Sequence, residues 1–176
     1  MSSGQKTSRV RNTLDLKPLV LWMKHQTSIA KLLNLPPPHS TDESNSPSIS
    51  PSSDLLNRIT VLQFGHGQSN PTYLLTVTPP PTQYPPRSTR LVLRRRPNSV
   101  AHVSAHDLKR EFRALSALHA HNIEIRRSEK ALGATALSPS ERGEVPVPEP
   151  LIYCQSPTVI GTEFYLMSYA DGIVYT

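Results

Sequence analysis

The sequence predicts an α+β fold in which a small antiparallel sheet packs against helices. Two short apolar segments with alternating side chains, residues 59–62 and 73–77, lie on either side of a turn that contains two glycines. A third apolar segment follows at residues 90–94, and after it the apolar residues recur at helical spacing. Strands that follow one another closely before a helix begins are typical of α+β folds rather than of alternating α/β folds.

The turn between the first two strands is the most informative stretch of the chain. Glycine lacks a Cβ atom, so the backbone can turn sharply and approach a ligand closely, and the N–H groups of such a turn form a concave site for anions. Dinucleotide-binding and Walker-type loops lead from a strand into a helix, whereas strands flank this turn on both sides. That arrangement indicates a kinase-type loop over nucleotide phosphates, and the alternative is a hairpin whose glycines only shape the turn. The candidate residues of the turn are Gly65, His66, Gly67, Gln68, Ser69 and Asn70.

The third strand ends in a cation, Arg94, and the helix that follows it carries an inward carboxylate. The pattern predicts this helix over residues 105–120, with Ser104 as its N-cap. Glu111 falls inside the apolar stripe of the helix. A carboxylate that faces a core is costly unless it is paired, so we expect Glu111 to reach Arg94 on the adjacent sheet. The alternative is an exposed glutamate at the edge of the stripe. The stripe consists of Leu108, Phe112, Leu115 and Leu118.

These parts, in this order, resemble the amino-terminal lobe of the aminoglycoside phosphotransferase and choline kinase superfamily. The resemblance is closest to the phosphotransferase-like domain that is found alone or fused to acyl-CoA dehydrogenases. The run Gly-x-Gly-Gln-Ser-Asn-Pro-Thr-Tyr at residues 65–73 and the run Val-Leu-Arg-Arg at residues 92–95 carry it as a pair. The resemblance implies a protein kinase-like amino-terminal lobe, which has a five-stranded antiparallel sheet with one packed helix plus an accessory amino-terminal helix. Further matching segments are residues 14–16, 105–118, 145–148 and 160–167.

The resemblance also implies a site for ATP. The loop at residues 65–70 covers the phosphates, Arg94 grips them, and Glu111 orients Arg94. The segment at residues 164–169 resembles the strand and hinge that hold adenine, and an ordinary core strand is the alternative interpretation. In this hinge Met167 lies at the back of the adenine pocket, and backbone groups of Ser168 and Ala170 face the base. Many relatives have an acidic residue in place of Ser168, which is a departure from the family pattern.

The residues that complete phosphoryl transfer are expected to be missing from this sequence. Such transfer needs a carboxylate that orients the acceptor hydroxyl, and further ligands for Mg²⁺. The kinase form of these groups is a His-x-Asp-x-x-x-x-Asn loop and a later Asp, and the 176 residues contain no such loop. We therefore expect the nucleotide-binding lobe of a small-molecule kinase, truncated before the catalytic loop and inactive alone, whose parent phosphorylates a hydroxyl, for example of a hydroxyacyl-CoA. The alternative is a non-catalytic nucleotide-binding or protein-interaction module.

Composition divides the chain into ordered and low-complexity parts. With 18 prolines and 36% hydrophobic residues in 176, much of the chain lies outside a core. The predicted organisation is a disordered tail at residues 1–13, an accessory helix at 14–35, a Pro/Ser-rich linker at 36–54 and the kinase-like lobe at 55–176. Within the accessory helix, Pro18 suits the first helical position and Asn34 the residue just past the end. Within the lobe, residues 79–89 and 121–144 are expected to be loop insertions.

Charge and cysteine content restrict the partners and the compartment. The formal net charge is +6, but aromatic residues make up 6% of the chain and no groove-reading motif is present, which argues against nucleic-acid binding. A single cysteine, Cys154, excludes an internal disulfide and fits a reducing compartment. The amino-terminal helix is too short and too charged to span a membrane. We expect a cytoplasmic protein, with a mitochondrial or peroxisomal location as the alternatives.

Overall fold

The computed structural model describes residues 7–8, 13–35, 51–65, 70–81, 85–97, 107–132 and 138–172. These residues form a single sheet with helices on both of its faces. In chain order the elements are β1 (Thr7–Ser8), α1 (Leu16–His25), α2 (Thr27–Leu32), α3 (Pro51–Arg58), β2 (Ile59–Phe64), β3 (Thr72–Val77), β4 (Thr89–Arg95), α4 (Leu108–Leu132), β5 (Pro150–Cys154) and β6 (Phe164–Ser168).

The sheet is antiparallel throughout, with the strand order β1-β2-β3-β4-β6-β5. Five strands of five to seven residues make up most of it, which confirms the predicted five-stranded sheet and the α+β class. The two-residue β1 is an addition, because Thr7 pairs with Phe64 and Ser8 with Gln63. Both residues fall in the predicted disordered tail. They can pair there because the outer edge of β2 offers unpaired backbone groups to any extended segment.

The main core lies between one face of the sheet and helices α1, α2 and α3. Successive side chains of a strand point to opposite faces, so alternate residues of β3, β4 and β6 meet these helices. The ring of Trp22 on α1 stands edge-on to Phe164 on β6, with centroids 4.9 Å apart. Each large apolar side chain buried in this way contributes about 1.5–3 kcal/mol. Fully buried members of this core include Leu19, Met23, Ile29, Leu55, Tyr73, Leu75, Leu91, Leu93, Phe164 and Leu166.

The predicted accessory helix is two helices, α1 and α2, separated at Gln26. This residue has extended backbone angles (φ −90°, ψ 109°), and its side-chain amide donates to the carbonyl of Trp22 at 3.2 Å. Pro18 is the third residue of α1 rather than the first, because Asp15 caps the helix by accepting from the backbone N–H of Lys17 at 3.3 Å. A proline is tolerated there, since the first four N–H groups of a helix have no intrahelical partner.

Asn34 ends α2 as expected. It has a left-handed backbone conformation, with φ 51°. Its N–H donates to the carbonyl of Lys31 at 3.2 Å, and the N–H of Leu35 donates to the carbonyl of Ala30 at 2.9 Å. This pair of bonds is the Schellman motif, which satisfies carbonyls left open at the end of the helix.

The linker predicted at residues 36–54 is shorter, because α3 begins at Pro51. Proline is favoured at the first position of a helix, where its missing N–H costs nothing. Asp54 pairs with Arg58 one turn later at 2.7 Å, and Leu55 is fully buried in the core. Residues 36–50 lie outside the described part of the chain.

Helix α4 differs at both ends from the helix predicted over residues 105–120. It begins at Leu108, and Asp107 caps it by accepting from the backbone N–H of Arg110 at 2.9 Å. The predicted cap, Ser104, lies outside the described residues. At the other end α4 continues to Leu132, so the first half of the loop insertion expected at residues 121–144 is helical. The apolar stripe fades after residue 120, and polar contacts described below hold the extension instead.

Candidate nucleotide site

Arg94 lies on the face of the sheet opposite the main core, and protein groups hold it from two sides. Its Nε is 2.7 Å from Oε1 of Glu111 on α4, so the expected ion pair is present, with the buried Nε–H not aligned for a hydrogen bond. Its Nη1 donates to Oγ1 of Thr72 on the neighbouring strand at 3.1 Å. Thr72 in turn donates to the carbonyl of Asn70, the last residue of the glycine turn, at 3.0 Å. The guanidinium is therefore fixed relative to both the helix and the turn.

This arrangement leaves one nitrogen of the guanidinium for a ligand. Nε faces Glu111 and Nη1 is bonded to Thr72, whereas Nη2 of Arg94 has no partner among the residues that the structure describes. Both side chains of the ion pair are partly exposed, 26% for Arg94 and 33% for Glu111. The guanidinium is thus held in place with the N–H groups of Nη2 left to donate to an anion such as phosphate.

Glu111 has a second partner that the sequence analysis missed. The hydroxyl of Tyr165 on β6 donates to Oε1 of Glu111 at 2.9 Å. Tyr165 is fully buried, and burial, followed by the charge of Glu111 and this hydrogen bond, raises the pKa of its hydroxyl. The hydroxyl is therefore a donor throughout the physiological pH range. The alternation of β6 could have revealed this contact, because Tyr165 and Met167 must share one face of the strand.

A row of apolar side chains crosses the sheet beside Arg94. Direct pairs join each strand to the next, so the four side chains stand next to one another on the face that carries Arg94. Helix α4 packs on β5 and β6, away from the β2 end of this row, where Leu62 is 41% exposed. An adenine ring can contact the exposed or half-buried members of this row, Leu62, Leu74 and Met167, while Val92 is buried. The row consists of Leu62, Leu74, Val92 and Met167.

The segment predicted as the hinge is tied to its neighbours by backbone bonds. The N–H of Ser168 donates to the carbonyl of Glu149 at 2.9 Å, and the N–H of Glu149 donates to Oγ of Ser168, also at 2.9 Å. The N–H of Tyr169 points to the carbonyl of Arg90 at 3.4 Å. The sheet thus uses the amide N–H of Ser168, and the amide of Ala170 is the one left for a base within the described residues.

Arg90 also holds the residues that follow β6. Its guanidinium makes a two-point contact with the carboxylate of Asp171, at 2.8 and 3.2 Å, and lies 4.2 Å from the centroid of the Tyr169 ring. Ion pairs this exposed contribute little to stability, but together with the ring contact they hold the predicted hinge segment beside β4.

The structure describes seven of the eleven residues predicted to bind the nucleotide. His66, Gly67, Gln68 and Ser69 lie outside the described part of the chain. Gly65 is exposed at the end of β2, and Asn70 is buried at the start of the next strand. The structure brings Arg94 and Glu111 together and sets Met167 beside them, two residues along β6 from Tyr165. Five further residues of the candidate site were not predicted from the sequence, namely Thr72, Tyr165, Leu62, Leu74 and Val92.

A second polar cluster joins the extension of α4 to the segment before β5. The side chain of Asn122 donates to the carbonyl of Val145 at 2.7 Å and accepts from its N–H at 3.0 Å. The carboxylate of Glu144 lies 2.6 Å from Arg126 and 2.8 Å from Arg142. The hydrogen bond from Arg126 is the main reason why the pKa of Glu144 is lowered. An open cleft of about 420 Å³ lies against these groups.

The described residues offer no second kind of reactive centre. They contain no group of three or more His, Cys, Asp and Glu side chains that could hold a metal ion. Cys154 is buried, and burial raises the pKa of its thiol, which makes it a weak nucleophile. None of the helices in the described ranges has the length and apolar character needed to cross a membrane.

Comparison with known proteins finds several curated relatives, each of which matches about two thirds of this chain. The chain is 36% identical over 115 residues to acyl-CoA dehydrogenase family member 10 of Mus musculus, covering 65% of this chain and 8% of the relative. It is 36% identical over 115 residues to probable acyl-CoA dehydrogenase IBR3 of Arabidopsis thaliana, covering 65% and 11%. Acyl-CoA dehydrogenase family member 11 of Rattus norvegicus is 32% identical over 117 residues, covering 66% and 11%. The chain thus spans about a tenth of the length of these relatives.

A solved structure and a family model also match. The structure is a protein from Ralstonia eutropha whose proposed assignment is aminoglycoside phosphotransferase, with a TM-score of 0.43 and 22% identity over 93% of this chain and 30% of that one. The model described as the phosphotransferase enzyme family matches residues 60–176. Because this match covers most of the chain, including every strand from β3 to β6, the chain belongs to the phosphotransferase enzyme family.

Proposed function

We propose that this chain is the ATP-binding lobe of a phosphotransferase that phosphorylates a hydroxyl group of a small molecule. The main observation behind the proposal is the way in which neighbouring side chains hold the guanidinium of Arg94. Glu111 and Thr72 hold two of its nitrogens, and the third has no partner in the described part of the chain, next to an apolar surface on the same face of the sheet. Membership of the phosphotransferase enzyme family supports the same assignment.

The proposed binding mode divides ATP between two neighbouring surfaces. The turn at residues 65–70 covers the phosphates, and Arg94 binds them through its remaining nitrogen. Hydrogen bonds to charged groups of this kind contribute about 1.5–3 kcal/mol each. The adenine ring lies on the apolar row that ends at Met167, and the backbone N–H of Ala170, rather than that of Ser168, meets its edge.

Mg²⁺ and the group that activates the acceptor are not assigned to this chain. Phosphoryl transfer requires both, but the described residues hold no cluster of metal ligands, and the sequence has no His-x-Asp-x-x-x-x-Asn run. Our proposal is therefore that the chain by itself binds ATP without transferring phosphate. For the acceptor we propose the hydroxyl of a hydroxyacyl-CoA, because the curated relatives are named as acyl-CoA dehydrogenases.

Calorimetric titration of the 176-residue chain with ATP and with adenosine tests the proposal. Arg94→Ala should weaken ATP binding about tenfold or more, which corresponds to the loss of one charged hydrogen bond. Adenosine binding should not change, since adenosine has no phosphate. Arg96→Ala is the matched control, because Arg96 lies two residues along on the same face and pairs with Glu163. The proposal fails if the wild-type chain does not bind ATP, or if Arg94→Ala binds it equally well.

A further inference from the structure

Two groups of one arginine, one glutamate and one tyrosine lie side by side where α4 meets the sheet. The helix group consists of Arg94, Glu111 and Tyr165. The sheet group consists of Arg96, Glu163 and Tyr153. The ring of Phe112 on α4 separates them, with its centroid 5.5 Å from the ring of Tyr165 and 5.7 Å from that of Tyr153. Each tyrosine hydroxyl donates to the glutamate of its own group.

The two groups differ in what they connect. In the sheet group Arg96 meets Oε1 of Glu163 at 3.3 Å, and Tyr153 donates to the other oxygen, Oε2, at 2.5 Å. All three of its members belong to β5 or lie beside the ends of β4 and β6. In the helix group the glutamate comes from the first turn of α4. The helix group is therefore the one that joins the helix to the strand carrying Arg94.

In the helix group both partners meet the same oxygen. Nε of Arg94 is 2.7 Å and the hydroxyl of Tyr165 is 2.9 Å from Oε1 of Glu111. A glutamate side chain has three rotatable bonds, and ordering it reduces its conformational entropy. Tyr165 is itself immobile, because its ring is fully buried and packs on Phe112. Its hydroxyl therefore defines the position that Oε1 takes up.

We propose that Tyr165 is a positioning residue for nucleotide binding, because its hydroxyl holds Oε1 of Glu111 where that oxygen fixes the guanidinium of Arg94. The proposal rests on the ATP site proposed above and adds to it one residue that contacts Glu111 of the ion pair. Tyr165 itself touches no ligand. Tyr153 makes a similar bond in the sheet group, but its glutamate does not contact Arg94, so it has no such effect.

The two tyrosines provide a matched pair of variants. Tyr165→Phe and Tyr153→Phe each remove one hydroxyl that donates to a glutamate, and neither changes the packing of a ring. Tyr165→Phe should weaken ATP binding about tenfold, because Glu111 and Arg94 are then ordered only when the phosphates bind and lose side-chain entropy at that step, and it should leave adenosine binding unchanged. Tyr153→Phe should change neither affinity. Equal effects of the two variants, or an equal loss of ATP and adenosine affinity in Tyr165→Phe, would show a general structural role and overturn the proposal.

A second measurement tests the positioning without a nucleotide. In ¹⁵N NMR spectra the Nε–H signal of Arg94 can be assigned as the one that Arg94→Lys removes. Tyr165→Phe should accelerate exchange of this proton with water about tenfold, because the carboxylate that covers it is no longer fixed, whereas Tyr153→Phe should leave the exchange rate unchanged. An unchanged rate in Tyr165→Phe overturns the positioning role. If the wild-type chain fails to bind ATP, the proposed function fails while this measurement still decides the role of Tyr165.

Discussion

At the residue scale, the alternation of β4 divides three consecutive arginines between two faces of the sheet. Arg94 and Arg96 lie on the face that meets α4, where each pairs with a glutamate. Arg95 pairs in register with the core residue Phe164 and lies on the opposite face. The position of Arg94 within the strand, rather than its charge alone, makes it the arginine beside the apolar row.

Glu111→Gln should weaken ATP binding by the 176-residue chain about tenfold. The amide has the size of the carboxylate but no charge, so Arg94 is no longer held and loses side-chain entropy when it binds phosphate. Calorimetric titration measures the affinity, and Glu163→Gln, which affects only the pair with Arg96, is the control. Unchanged ATP affinity in Glu111→Gln would mean that Arg94 needs no support from the helix.

At the scale of elements, α4 is held at both of its ends by polar contacts rather than by a continuous apolar stripe. Its first turn is joined to the sheet through Glu111. Its extension is joined to the segment before β5 through Asn122, which is 3% exposed and bonds both backbone groups of Val145. The helix could rotate about its axis only by breaking both sets of contacts.

Asn122→Ala should destabilise the fold by about 1–2 kcal/mol, because it removes two hydrogen bonds and leaves the backbone groups of Val145 without a protein partner. Urea unfolding followed by circular dichroism measures the change. His121→Ala, at the exposed neighbouring position of α4, should lie within about 0.5 kcal/mol of wild type. Equal stability of the two variants would show that the extension does not depend on this contact.

Protonation of Glu144 should lower the stability of the fold at acid pH. Its pKa is lowered in the folded chain, first by the hydrogen bond from Arg126 and further by the charges of Arg126 and Arg142. A lowered folded pKa contributes stability above the ordinary value of 4.5, and this contribution is lost as the pH falls through the folded pKa. Melting temperatures between pH 7 and pH 3 should therefore fall less for Glu144→Gln than for wild type. Glu149→Gln, an exposed position in the same segment, should follow the wild-type curve.

At the scale of the whole molecule, the two faces of the sheet have different roles. One face is closed by α1, α2 and α3 and contains the main core. The other face is covered by α4 at its β5 and β6 end and carries Arg94 and the apolar row. The core therefore stabilises the sheet through one face, and the candidate nucleotide surface on the other face can stay exposed without exposing core side chains.

The 176-residue chain should bind ATP but should not transfer phosphate to a hydroxyacyl-CoA. The sequence supplies no acceptor-orienting carboxylate in a His-x-Asp-x-x-x-x-Asn loop, and such groups provide much of the catalysis in kinases. Release of ADP in the presence of Mg²⁺, with and without the acceptor, measures the activity. Turnover that requires the acceptor and disappears in Arg94→Ala would contradict the expectation.

Sequence by itself determined the features that depend on local pattern. The alternation of apolar residues predicts the strands, and the inward position of Glu111 predicts its pair with Arg94, because a buried carboxylate requires a cation. Asn34 marks the end of α2 because few residues adopt its left-handed conformation. These inferences need only the geometry of a single strand or helix and the cost of an unpaired charge.

The tertiary structure alone decided the features that depend on residues far apart in the chain. The length of α4 follows from the bonds between Asn122 and Val145, which are 23 positions apart, while the local pattern at residues 121–132 predicted a loop. The contact of Tyr165 with Glu111 spans 54 positions. The apolar row exists only because the register of four strands sets its members side by side. Strand register and packing between elements are collective properties, since a slip of one residue would turn every side chain of a strand to the other face.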